Sequence, residues 1–189
     1  MRVRGVLLVA GPLMLATLEP ASAAELWRSP VVPGGACKVS LVNELGDVRL
    51  SLGPAGATPE TVVRGDPQLA VVVAADDTGP VLSVRPAVAS SMPASTGVDV
   101  SVPTGCSVTV RTTTGNITAW IGPDRDRSVL VATSGEITTD FTIEIEFRYH
   151  TEPSKRGWIL ASGVTGAAAD APELRLTSLQ GAVAIQRAE

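Results

Sequence analysis

Val108-Thr109-Val110-Arg111-Thr112-Thr113-Thr114-Gly115-Asn116-Ile117 carries the pattern from which the fold is read. Apolar and polar side chains alternate with period two, as in a strand with one buried face. A threonine-rich step leads to Gly115, and an apolar residue follows two positions later. A glycine between two strand segments marks a corner where a positive φ or a close backbone approach excludes a Cβ. One copy alone reads equally well as a hairpin turn, but the pattern recurs. Val39-Ser40-Leu41 leads to Gly46-Asp47-Val48, Val129-Leu130-Val131 to Gly135-Glu136-Ile137, and Leu174-Arg175-Leu176 to Gly181-Ala182-Val183. Gly115 and Gly135 are 20 residues apart, and Gly135 and Gly181 are 46 apart. These intervals suit one and two rungs of a coil whose stacked neighbours bury each other's Val, Ile and Leu. An aromatic content of 3% agrees with such a core.

The N-terminal half reads as more antiparallel. Ala70-Val71-Val72-Val73, Asp76-Asp77-Thr78-Gly79 and Val81-Leu82-Ser83-Val84 form a strand, an Asp/Gly turn and a return strand. Val98-Asp99-Val100-Ser101-Val102 alternates strictly and stops at Pro103. Prolines at 54, 59, 67 and 80 punctuate the loops, and no amphipathic helix is expected.

The first residues, Met1-Arg2-Val3-Arg4, then an apolar stretch over 6–18 and Ala21-Ser22-Ala23, read as a secretory signal peptide cleaved after Ala23. The stretch is short and interrupted by Pro12, which ranks a membrane anchor second. The full chain has 15 Lys+Arg and 19 Asp+Glu, for a formal charge of −4. The mature chain keeps 13 basic and 18 acidic residues, too acidic for nucleic-acid binding through bulk charge. No other run is apolar enough to span a membrane.

Cys37 and Cys106 form an even count in a chain bound for an oxidising compartment, where a disulfide is favoured. Two rival readings stay open, lipidation of Cys37 after Gly34-Gly35-Ala36 and a pair of buried reduced thiols. Trp27, Arg28 and two prolines separate Cys37 from the apolar stretch, which argues against lipidation. Two cysteines and one histidine, His150, are too few for a zinc site.

Taken in order, Leu41-Val42-Asn43-Glu44-Leu45-Gly46-Asp47-Val48, Val98 to Pro103, Val108 to Ile117 and Thr133-Ser134-Gly135-Glu136-Ile137 resemble the bacterial putative-adhesin domain family of exported β-solenoid proteins. The likeness covers roughly residues 37–188. It implies an all-β fold, a right-handed β-helix-like solenoid with antiparallel strands packed on or capping its N-terminal part. It carries over no catalytic residue. The expected organisation is a signal peptide over 1–23, a flexible segment over 24–36 and a single domain over 37–189. The stretch 141–157 departs from the repeat as a charged, aromatic-rich insertion.

Cys37 and Cys106 each stand nine residues before the corner glycine of their copies, Gly46 and Gly115. Stacked as neighbours, equivalent Cα atoms lie about 4.8 Å apart, within the roughly 4.4–6.8 Å range that a disulfide accepts. The pair is therefore expected to staple two copies together.

Candidate chemistry concentrates in 140–158. Glu144, Glu146, Arg148 and Lys155 make up a charged row of the kind that binds or cleaves acidic polysaccharides. The plainer expectation is a solvated strand face, with His150 at a strand end. Asp124-Arg125-Asp126, followed by Arg127, hints at a calcium loop but lacks the run of oxygen ligands. Trp120, Tyr149 and Trp158 are the candidate contacts for a ligand or partner, with filling of rung ends as the alternative.

These readings converge on a non-enzymatic, exported β-domain with a structural or interaction role, periplasmic, on the cell surface or extracellular. No cofactor or metal is expected. A protein or glycan partner is expected, with self-association through an open last copy, 174–185. The alternative is a carbohydrate-binding or carbohydrate-cleaving protein using 140–158.

Overall fold

A computed structural model describes residues 23–30, 37–53, 60–76, 79–88, 96–122, 127–148, 158–164 and 171–188. The signal-peptide stretch up to residue 22, the 124–126 loop, Tyr149, His150 and Lys155 lie outside them. The described residues are all-β and contain no helix. The strands run in chain order β1 (Ala24–Pro30), β2 (Lys38–Leu45), β3 (Val48–Gly53), β4 (Glu60–Gly65) and β5 (Leu69–Asp76). Next come β6 (Gly79–Pro86), β7 (Val98–Pro103), β8 (Ser107–Thr114), β9 (Ile117–Ile121) and β10 (Ser128–Thr133). The last are β11 (Ile137–Thr139), β12 (Glu144–Arg148), β13 (Trp158–Val164), β14 (Glu173–Gln180) and β15 (Val183–Arg187).

They form two mixed sheets. One has the order β1-β4-β7-β3-β9-β15-β11, the other β12-β13-β10-β14-β8-β2-β6-β5. Within each sheet five consecutive strands are parallel, and each copy of the sequence pattern places its first strand in the second sheet and its second strand in the first. The strand pair β6 and β7 is a fifth copy, with Thr96-Gly97 at the corner. Alternation sets the burial: along β8, Val108, Val110 and Thr112 are buried while Thr109 and Arg111 are exposed. The inward rows of both sheets, among them Leu41, Leu50, Val110, Ile117, Leu176 and Ile185, meet in one core. Each such side chain contributes roughly 1.5–3 kcal/mol relative to exposure.

The corners lock the copies in register. The amide of Gly46 donates to the Thr114 carbonyl (2.7 Å), Ile117 to Ala182 (2.9 Å) and Val183 to Glu136 (2.8 Å). Gly46 and Gly115 have φ of 102° and 148°, in the region that favours glycine. Beneath the corner, Thr112 Oγ1 donates to the Gly46 carbonyl (3.3 Å), Ser178 Oγ to that of Gly115 (2.8 Å) and Thr133 Oγ1 to that of Gly181. The Asn43 amide does the same at the adjoining end, towards Thr96 (3.0 Å) and Gly46 (3.2 Å). The polar step in the sequence pattern is thus a ladder of buried side chains, Asn43, Thr112, Thr133 and Ser178, whose donors satisfy corner carbonyls.

Three expectations need correction. The copies do not stack in chain order, as successive coils of a β-helix would: β14 lies between β8 and β10, and β15 between β9 and β11. The 174–185 copy is therefore interior, paired on both sides in both sheets, and presents no open edge. The segment 24–36 is not flexible throughout, because Ala24–Pro30 pairs antiparallel with β4 as β1. Parallel partners of equal register are interchangeable as far as local pattern goes, so the alternation that defines each strand does not choose its neighbour.

Candidate functional site

Cys37 and Cys106 are joined, with their Cα atoms 4.5 Å apart. Lys38 pairs with Ser107 in the adjacent β2–β8 ladder, and the Ser107 amide donates to the Cys37 carbonyl (2.8 Å). Neighbouring copies at the same register explain the short distance, as the nine-residue offset required. Below the bridge lies Arg127, only 1% exposed, whose guanidinium donates to the carbonyls of Cys106 (2.8 Å) and Thr104. In sequence Arg127 stands only as the residue after Asp124-Arg125-Asp126, and these two backbone acceptors lie 21 and 23 residues away.

Next to the staple, on the outer face of the second sheet, a shallow hollow of about 190 Å³ opens over the start of three strands. Lys38 and Ser40 come from β2, Ser107 and Thr109 from β8, Glu173 and Arg175 from β14. They point outward because Val39, Val108 and Leu174 between them are buried. The same two positions of three copies supply these six polar residues, with Val39 completing the lining, a signal available in the aligned copies once their order is known. The Arg175 guanidinium contacts the Glu173 carboxylate at 2.8 and 2.9 Å, and Ser107 Oγ accepts from the Glu173 amide (3.1 Å). Three hydroxyls, an ammonium and an ion pair form a surface that can hydrogen-bond a polar ligand. The hollow has no nucleophile paired with a base, and its carboxylate is already held by arginine.

Trp120 and Trp158 lie in different sheets. Trp120 is half-buried in β9, facing away from the core row of Ile117, Ala119 and Ile121, with Ser51 and Gln186 opposite it. Trp158 begins β13 in the other sheet, opposite Arg148, and Tyr149 lies outside the described residues. Of the charged row, Glu144 is exposed on β12. Among the described residues no three His, Cys, Asp or Glu side chains cluster as metal ligands.

On the β1 edge of the first sheet, Arg28 bridges Glu25 (2.7 Å) and Glu60 of β4. The hydrogen bond from Arg28 holds the Glu25 carboxyl below its ordinary range, and the two carboxylates raise the Arg28 guanidinium in turn, Glu25 most strongly.

Fold and site together define a disulfide-stapled all-β domain of two mixed sheets. No family model and no curated protein matches the chain. Among solved structures it is similar to a putative cell adhesion protein from Clostridium sporogenes, with 12% identity and a TM-score of 0.34, over 88% of this chain and 100% of that one. A likeness at that level decides neither fold nor role.

Proposed function

We propose that the chain is an exported, non-catalytic domain with an adhesion-like structural or interaction role, periplasmic, on the cell surface or extracellular. Its finer architecture is a solenoid-like stack of two-strand units whose spatial order differs from their order in the chain. The observation that carries the reading is the Cys37–Cys106 staple between neighbouring copies, since such bonds persist in oxidising compartments. The signal-peptide pattern over 1–23 supports it, and the adhesion-like role rests on the family resemblance of the repeat. The test is cell fractionation with intact mass under non-reducing and reducing conditions. A secreted chain starting at Ala24 with its disulfide closed is expected; a cytoplasmic chain with free thiols overturns the reading.

A second reading is favoured by the hollow: a glycan-binding surface of Lys38, Ser40, Ser107, Thr109, Glu173 and Arg175 in place of the 140–158 row. Lys38→Ala with Arg175→Ala is expected to remove retention on a glycan panel, and unchanged retention overturns it.

A further inference from the structure

Two sheets leave four edges among the described residues: β1, β11, β12 and β5. Proteins guard such edges with charges, prolines, bulges or short length, because unpaired N–H and C=O groups recruit another strand. β1 has a register shift between Glu25 and Trp27 and the Glu25–Arg28–Glu60 ion pairs. β11 is three residues long. β12, with the sequence EIEFR, is charged at three of its five positions. β5 has none of these devices: LAVVVAAD is eight residues long, apolar from Leu69 to Ala75, with no proline and one terminal acid.

The strand is also incompletely covered. Val73 is 48% exposed although it lies opposite Leu82, which is fully buried on the core-facing row, and Val72 on the other face is 36% exposed. The core therefore runs out to solvent along β5.

We propose that β5 pairs antiparallel with β5 of a second copy of this chain, joining two eight-stranded sheets across a twofold axis. A twofold normal to the sheet keeps inward positions inward, so a residue must oppose one of its own parity. Centred on Val72, that register sets Val72 against its own copy, Val71 against Val73 and Ala70 against Ala74. The acid Asp76 then faces Gln68, and no like charges meet. The exposed Val73 is covered by Val71 of the second copy, which continues the core row. A foreign strand would have to match this apolar run, whereas a second copy supplies the match with no charge conflict.

The contact deepens the interaction role proposed above and rests on it. Mass is the readout here, so a monomer overturns this contact while export and retention are measured separately. The mature, oxidised chain is followed by sedimentation equilibrium across a dilution series. A mass about two-fold that of one chain is expected. Val72→Lys with Val73→Lys returns it to one-fold, with the far-ultraviolet spectrum and the disulfide unchanged. Thr138→Lys, on the β11 edge, leaves the two-fold mass intact. Because the double variant could fail to fold, Val72→Cys is oxidised in parallel, and a covalent dimer that Thr138→Cys does not form is expected. A monomeric parent, a dimer dissociated by the β11 variant, a Val72→Cys chain that does not cross-link, or a stable complex with a different protein at β5 overturns the proposal.

Discussion

The carbonyl oxygen of Gly115 stands 2.1 Å from where a Cβ on Gly181 would lie. The relationship repeats along the corner, with Gly46 against Gly115 at 2.2 Å and Gly181 against Gly135 at 2.3 Å. In each case the obstacle is backbone, so no side-chain rotation relieves it. The corner glycines set how closely one copy can approach the next.

Gly181→Ala and Gly115→Ala are therefore expected to destabilise the fold by about 3–5 kcal/mol each, Gly115 carrying the added strain of its φ. Gly105→Ala, with no atom within 4 Å of the added Cβ, is expected within about 1 kcal/mol of the parent. Urea unfolding of the three variants checks the contrast.

Cys37→Ser with Cys106→Ser opens a loop spanning a separation of 69 residues. The chain-entropy model puts the loss at about 4 kcal/mol. Comparing this variant with the parent, each with and without reductant, separates the bond from the packing: reductant is expected to lower the parent's unfolding midpoint and leave the variant's unchanged.

Arg127→Ala is expected to cost about 3–5 kcal/mol, since it removes the donors to two buried carbonyls and leaves a cavity beneath the staple. Arg127→Lys is expected to recover only part of the loss, because a single ammonium lacks the planar fork that reaches both carbonyls. Thermal melts of the pair check the order.

The Glu25 carboxyl is held below its ordinary 4.5 by Arg28. A depressed carboxylate stabilises the fold at pH above the unfolded value, and the contribution fades as pH falls through the folded one. Glu25→Gln is thus expected to melt slightly below the parent at neutral pH and to converge with it in acid below that range. Melting temperature against pH for both chains checks the sign. The ion pair is exposed, so the gap is expected to narrow with salt.

Much of this was legible locally. The inward alternation of Val108 and Val110, the corner at Gly115 and the β5–β6 hairpin follow from period and turn chemistry within a few residues. The Cys37–Cys106 bond followed from equal offsets to two corner glycines, which held because those two copies are neighbours. The six polar residues of the hollow occupy equivalent positions in three copies, but they share a surface only because β14 inserts beside β8. Burial of Arg127 goes with two backbone acceptors, Cys106 and Thr104, that lie 21 and 23 residues away in the chain.

The sequence by itself determined the strands of the four repeated copies and of the β5–β6 hairpin, their corners and inward faces, and the matching positions of the two cysteines, because each depends on backbone geometry over a few residues. Only the tertiary structure decided the order of the copies, the interior place of 174–185 and the open edge at β5. The physical reason is that parallel copies with the same alternation and the same corner can stack in any order at the same register. In the structure the parallel block is flanked by β1 and β4 in one sheet and by β12, β13 and β5 in the other.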